Sequence, residues 1–222
     1  MDLIITTSPI IQEDFIDKAI HSVSHIIFHK RFIICDGTTN ENIKQKYSQY
    51  KDNLKIKYPT FEFIEWETNK YIRGGIKDFC KISTAESIFC IQHDTLLNDK
   101  FCPHKLWNNK PPNSKILYFC EYDLSTKKGY LQKRHHWFPV VESYDEEWFR
   151  TLGWSERVFI FDRQYMIDIL DKYGSGRFIE NICNNQLKRK HTDDKYDIIW
   201  DIWKCYAHKE YRHTHLVGKT LR

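Results

Sequence analysis

The sequence predicts an α/β fold: a doubly wound, mostly parallel sheet flanked by helices, continued by a mixed sheet within one domain. Three observations carry that expectation. Short apolar runs alternate with amphipathic segments in the order strand, helix, strand, helix, strand through about residue 90. Three of the strands end in polar turn residues, Thr6-Thr7-Ser8, Asp36-Gly37-Thr38 and Gln92-His93-Asp94. The chain has 222 residues, 41% hydrophobic and 29% charged, which suits one larger single-core domain and excludes disorder.

Leu3–Thr6 is an aliphatic run stopped by Thr7-Ser8-Pro9, so it reads as a buried strand running into a turn. Phe15, Ile16, Ala19, Ile20 and Val23 recur at helical spacing and predict a helix from Gln12 to about Ser24. Phe32–Cys35 is a second buried strand, Asn42–Tyr50 a helix and Phe61–Trp66 a third strand. Ile76–Ala85 reads as helical, and Ser87–Ile91 as a short strand. Beyond it the pattern loosens. Ile116–Cys120 and Val158–Phe161 are strands on either side of an irregular aromatic stretch that reaches about Trp154. Gln164–Tyr173 is a helix closed by Gly174, Phe178–Lys190 is a second helical stretch, and the chain ends in a basic tail. Residues 1–222 form one unit, with a nucleotide-like half over about 1–100 and an acceptor-like half over about 101–222.

Several function classes are disfavoured at this stage. A net charge of +4, evenly spread, does not mark a nucleic-acid coat or a membrane-surface protein. The longest apolar runs, such as Leu3–Ile5 and Ile88–Ile91, fall far short of the roughly 20 residues a membrane helix needs. The start of the chain has no basic flank or cleavable apolar stretch, so no signal peptide and a cytoplasmic location are expected. Seven cysteines, at 35, 80, 90, 102, 120, 183 and 205, form no CxxC and lie mostly in apolar segments, as buried free thiols do. Neither GxxxxGK[ST] nor GxGxxG occurs, which disfavours a P-loop or dinucleotide-binding protein.

Two stretches carry a more specific pattern. The first strand runs into Thr6-Thr7-Ser8-Pro9-Ile10, then Phe15-x-x-Lys18-Ala19-Ile20-x-Ser22-Val23, and the second strand into Asp36-Gly37-Thr38. Tyr71-Ile72-Arg73-Gly74-Gly75-Ile76 is followed by Ala85-Glu86-Ser87-Ile88-Phe89-Cys90-Ile91-Gln92-His93-Asp94. In order and spacing these resemble the N-terminal half of GT-A-fold glycosyltransferases of the family 2 type. The resemblance covers about residues 1–100, and the remainder in outline. Compact domains of this sort are familiar from the glycosylation machinery of large DNA viruses and from bacteria, which for a viral protein implies the host cytoplasm.

The resemblance implies a transferase that moves a sugar from a nucleoside-diphosphate sugar, UDP-linked, to a glycan or protein-linked glycan. It implies that Thr6, Thr7, Ser8 and Asp36 hold the base and ribose, with Arg73, Gln92 and His93 also on the donor. It implies Mn²⁺ or Mg²⁺ at Asp94. The chemistry of the residues agrees. A diphosphate leaving group gains negative charge as the glycosidic bond breaks, and a divalent cation held by oxygen ligands offsets it. The family presents DxD here; this chain has Gln92-His93-Asp94, so the first acid is missing. Asp94 reads either as the metal ligand or as a cap of the turn. Asp36 reads either as an acceptor for an imide N–H and ribose hydroxyls or as part of an Asp-Gly turn. Arg73 precedes Gly74-Gly75, a pair that lets a backbone approach a ligand, and reads equally as a surface arginine.

The tail contains His215-Leu216-Val217-Gly218 followed by Lys219 and Arg222. It resembles the His-x-x-Gly stretch that many of these enzymes fold over the diphosphate. That likeness makes His215 a second metal ligand and places Lys219 and Arg222 near the phosphates; a solvated terminus is the other reading. The same family places a general base after the later strand, and here Glu180 stands at that point, with Asn181 where an acid pair is usual. An ordinary helix-surface glutamate is the alternative. His21, His25 and His29, spaced by four, read as a solvated helix face. Trp137, Trp148 and Trp154 are candidates for the acceptor site or for core packing. Two other functions stand beside the transferase: a catalytically inactive domain of the same fold, and a carbohydrate- or nucleic-acid-binding module. The weak charge makes nucleic acid the poorer partner.

Overall fold

The computed structural model describes residues 1–9, 13–119, 140–151, 157–173, 204–209 and 213–216. Among these residues the main sheet has nine strands, in the order β3-β2-β1-β4-β9-β6-β10-β8-β7. They are β1 (Asp2–Thr7), β2 (Arg31–Cys35), β3 (Glu62–Glu65), β4 (Ser87–Gln92), β6 (Ile116–Tyr118), β7 (Val140–Ser143), β8 (Trp148–Thr151), β9 (Val158–Asp162) and β10 (Cys205–His208). A two-stranded ribbon pairs β5 (Thr95–Leu97) with β11 (His213–His215). The helices are α1 (Glu13–Ser22), α2 (Glu41–Lys57), α3 (Tyr71–Ile82), α4 (Pro103–Asn108) and α5 (Arg163–Tyr173).

The first four strands are parallel, and the sheet turns mixed where β9 runs antiparallel between β4 and β6. β1 and β4 are buried at nearly every position, with apolar cores Leu3–Ile5 and Ile88–Ile91, because helices cover both faces. Leu3 and Ile5 pack with Ile16 and Ala19 of α1 and with Tyr47 and Leu54 of α2. Ile4 faces the other way, onto Ile76 and Phe79 of α3 and Met166 of α5. Each such fully buried side chain contributes about 1.5–3 kcal/mol.

α2 begins at Asn40, whose side-chain oxygen accepts the Asn42 amide at 3.0 Å. It runs past the expected end at Tyr50 to Lys57, because Leu54 continues the buried stripe of Tyr47 and Tyr50. α3 starts five residues before the expected Ile76, so Gly74 and Gly75 are helical and not a loop at a ligand. Gly75 is where Trp66 and Ile34 come close: a Cβ there would meet Trp66 Nε1 at 3.5 Å and Ile34 Cγ2 at 3.7 Å. α1 ends at Ser22, leaving His25 and His29 beyond it. His29 Nδ1 lies 3.2 Å from the buried Asp2, whose other carboxylate oxygen accepts Ser83 Oγ at 2.6 Å.

Two expectations miss strands. The aromatic stretch contains β7 and β8, and the basic tail contains β10, inserted between β6 and β8 with every residue buried. None of the five described cysteines forms a disulfide; Cys35, Cys80, Cys90 and Cys205 are buried and Cys102 is exposed. Burial pushes the Cys35 and Cys80 thiols up to about 12, so both stay protonated and inert. No described helix is long and apolar enough to cross a membrane.

Candidate active site

Parallel register brings the polar strand exits together. Thr6 pairs with Gln92 and Thr7 with Cys35, so Thr6–Ser8, Asp36 and Gln92–Asp94 leave the sheet along one edge. That carboxyl edge is where doubly wound sheets bind ligands. Cross-links hold the exits in place: the Asp36 amide donates to the Thr7 carbonyl at 3.1 Å, and the His93 amide to the Thr6 carbonyl at 2.9 Å. Thr6 and Ser8 are half-buried, whereas Thr7 is buried. The Thr7 hydroxyl has no hydrogen-bond partner among the described residues.

Asp36 is half-buried and organises the loop opposite. Its Oδ1 accepts the Gly37 amide at 2.9 Å and the Lys70 amide at 2.7 Å. Burial raises its carboxyl above the ordinary 3.8, while the backbone amides of Lys70, Gly37 and Tyr71 pull the other way. These contacts make Asp36 part of an Asp-Gly turn that also ties down the Lys70 loop. Gly37 is held so close to the following strand's exit that a Cβ would lie 2.5 Å from the backbone of Glu67 and Thr68. Tyr71 sits at φ 53, a left-handed conformation that costs a non-glycine residue about 1–3 kcal/mol. The Asn69 side chain accepts its amide at 2.9 Å. Arg73 follows on the first turn of α3, half-buried. A cavity of about 400 Å³ opens behind this loop, between Thr38, Tyr47 and Trp66.

Asp94 is half-buried in the turn between β4 and β5. The ribbon then returns the end of the chain to it. Thr95 pairs with His215 and Leu97 with His213, and the Leu216 amide donates to the Asp94 carbonyl at 2.7 Å. His215, far from Asp94 in sequence, is thus one register position from it in the fold. Among the described residues no group of three or more His, Cys, Asp or Glu is arranged to hold a metal ion. One or two protein ligands with phosphate oxygens and water completing the shell is the ordinary way Mg²⁺-type ions bind nucleotides, and Asp94 fits that donor set.

Glu180, Lys219 and Arg222 lie outside the described residues, as do Trp137, Trp154, Gly174 and the stretch Phe178–Lys190. Trp148 is 2% exposed and its ring meets His208 edge-on at 4.7 Å, so it packs the core and is not offered to a sugar. Sequence reasoning missed Lys70 and Tyr71. The only local signal was Asn69, a residue suited to accepting a backbone amide two positions on. It also missed Thr95–Leu97, three residues too few to show a periodicity.

No protein-family model and no curated protein matches the sequence. Solved structures do match. GalNAc-T7 with UDP, GalNAc and Mn²⁺ superposes with a TM-score of 0.58 at 11% identity, over 97% of this chain and 43% of that one. The mannosyltransferase PcManGT from Pyrobaculum calidifontis, in complex with GDP-Man and Mn²⁺, gives 0.57 at 9% identity, over 98% and 57%. HddC from Yersinia pseudotuberculosis gives 0.56 at 14% identity, over 96% of this chain and 92% of that one. At these identities the likeness is one of fold, and the fold is the GT-A type.

Proposed function

We propose that this chain is a glycosyltransferase that moves a sugar from a nucleoside-diphosphate donor, UDP-linked, to a glycan or protein-linked glycan. The observation that carries the reading is the convergence of Thr6–Ser8, Asp36 and Gln92–Asp94 on one sheet edge, with the His215 strand returned to Asp94. The structures that share the fold include two captured with a nucleotide or nucleotide sugar and Mn²⁺, which favours a nucleotide-sugar donor here.

In this reading the base and ribose lie between the β1 exit and the Asp36–Lys70 contact, where a half-buried carboxylate can accept an imide N–H or a hydroxyl. Arg73, Gln92 and His93 border the donor. Asp94 and His215 would hold Mn²⁺ or Mg²⁺, which when bound offsets the charge growing on the diphosphate. Lys219 and Arg222 add positive charge near the phosphates. Glu180 takes the proton of the attacking acceptor hydroxyl in an inverting transfer. Buried cysteines without disulfides among the described residues favour a reducing compartment, the cytoplasm, or the host cytoplasm for a virus-borne protein.

The missing first acid of the DxD supports a second reading, a domain of this fold that binds donor without transferring it. A donor panel separates the two. Sugar release from a UDP-sugar in the presence of Mn²⁺, lost in Asp94→Asn, supports the transferase. Donor binding without turnover by the parent protein supports the inactive domain. Asp94→Asn that binds donor and Mn²⁺ like the parent removes the site.

A further inference from the structure

We propose that the amino edge of the sheet, opposite the donor edge, is a membrane-binding face that rests on a bilayer carrying anionic lipid. The inference is independent of the donor site.

Three apolar side chains are left in water at this one end. In a parallel sheet the helix-to-strand connections lie at the amino ends of the strands. Among the described residues Ile27, Ile56, Ile82 and Tyr144 are the exposed large hydrophobics, and the three isoleucines all stand on or beside such connections. Ile27 lies between α1 and β2, Ile56 in the last turn of α2 before β3, and Ile82 at the end of α3 before β4. They are 85%, 80% and 55% exposed. One exposed isoleucine is ordinary on a soluble protein; three at one end mark a contact face. Ile27 is also held in place. Its carbonyl accepts His104 Nε2 at 2.7 Å, and the Ile26 carbonyl accepts Arg31 Nη2 at 2.7 Å, so the loop is pinned beside the tip.

The charge on the same edge has one prevailing sign. The His104 contact joins the α1–β2 connection to α4, and neither residues 18–35 nor residues 100–120 contain an aspartate or glutamate. Lys44, Lys51, Lys55 and Lys57 along α2 are all in ion pairs. Arg31, Lys100, Lys105, Lys110 and Lys204 have no ion pair among the described residues. Lys204 belongs to this edge because its carbonyl accepts the Lys115 and Ile116 amides at the start of β6. Of the nearby acids, Glu62 is paired with Lys30 and Asp162 with Lys115, leaving Glu86 and Asp99 exposed. A net charge that looks evenly spread along the chain is thus gathered by the fold.

Apolar tips set among cations match a bilayer with an anionic surface. The isoleucines enter below the headgroups, and the lysines stay at the level of the phosphates. A second copy of the chain would bring like charges together, and a nucleic acid offers nothing to three protruding isoleucines. The six-residue strands β1 and β4 would hold the donor edge about 20 Å from the lipid, at about 3.3 Å per residue.

Flotation of the full chain with lipid vesicles tests the proposal. One set is phosphatidylcholine alone, and the other is about one-third phosphatidylserine. The parent should float with the second set only, and less at high salt. Lys105→Gln should weaken binding about fivefold and Ile27→Ser about tenfold, with Lys46→Gln near the other end of α2 unchanged. All three variants change exposed side chains and should keep the parent's melting temperature. Absence of flotation by the parent overturns the proposal, as does an equal loss in Lys46→Gln or no loss in Ile27→Ser. Binding of a double-stranded RNA oligonucleotide that depends on Lys105, without flotation, makes the edge a nucleic-acid surface and overturns it. A dimer in light scattering that Ile27→Ser dissolves, again without flotation, makes it a self-interface and overturns it likewise.

Discussion

Gly37→Ala tests whether the Asp36 loop is as tightly built as its geometry implies. The new methyl would stand 2.5 Å from the carbonyl carbons of Glu67 and Thr68 and from the Thr68 nitrogen. These are backbone atoms, so no rotamer change clears them. Restoring ordinary contact requires the 67–68 backbone to retreat by about 0.9 Å. The Lys70 amide, 2.7 Å from Asp36 Oδ1, moves with that loop and passes out of hydrogen-bond range. Overpacking of about 1–3 kcal/mol and loss of a bond to a carboxylate together put the cost at about 3 kcal/mol. Urea denaturation followed by tryptophan fluorescence reads the cost, and calorimetry with UDP reads the effect on the site. Gly75→Ala is the control, since its Cβ meets only ordinary contacts and a helix interior favours alanine over glycine by about 0.5–1 kcal/mol. A Gly37→Ala protein within about 0.5 kcal/mol of the parent would refute the reasoning.

Ser83→Ala leaves the buried Asp2 without its 2.6 Å donor and the Ala85 amide without its acceptor, and should cost about 1–3 kcal/mol in urea denaturation; no loss would mean Asp2 is satisfied by His29 alone. Asp36 titrates above its ordinary 3.8 when folded, so its contribution to stability is fully present below that pH and lost as pH rises through the folded value. Asp36→Asn should flatten that part of the stability-versus-pH curve, and an unchanged curve would remove the burial argument. Glu180→Gln should lower transfer a hundredfold or more with donor affinity unchanged; undiminished transfer would make a retaining reaction the better account.

The first ninety residues were legible because β1, β2 and β4 are covered on both faces and so each carries an apolar run. The polar exits were legible for the same reason, since each run stops abruptly at Thr6, Asp36 or Gln92. The later strands were not. Cys205–His208 is buried by neighbours that arrive from distant parts of the chain, and nothing local distinguishes it from a solvated tail. The start of α3 was hidden by Gly74-Gly75, whose poor helix propensity is overridden by the buried stripe of Ile76, Phe79 and Cys80 that the same helix presents. Lys70 was invisible as a partner of Asp36 because the contact uses its backbone amide, which any residue other than proline provides. His215 was singled out by resemblance, and its register opposite Thr95 is a long-range pairing that sequence spacing does not encode.

The central claim is that the carboxyl edge formed by Thr6–Ser8, Asp36 and Asp94 binds a nucleoside diphosphate together with a divalent cation. Isothermal titration calorimetry of UDP into the full chain, with GDP as a comparison and with Mn²⁺ present or removed by chelator, tests it most directly. The account predicts saturable binding of UDP with Mn²⁺ that weakens sharply on chelation. Failure of either nucleotide to bind at millimolar concentration, with Mn²⁺ or Mg²⁺ supplied, would contradict it.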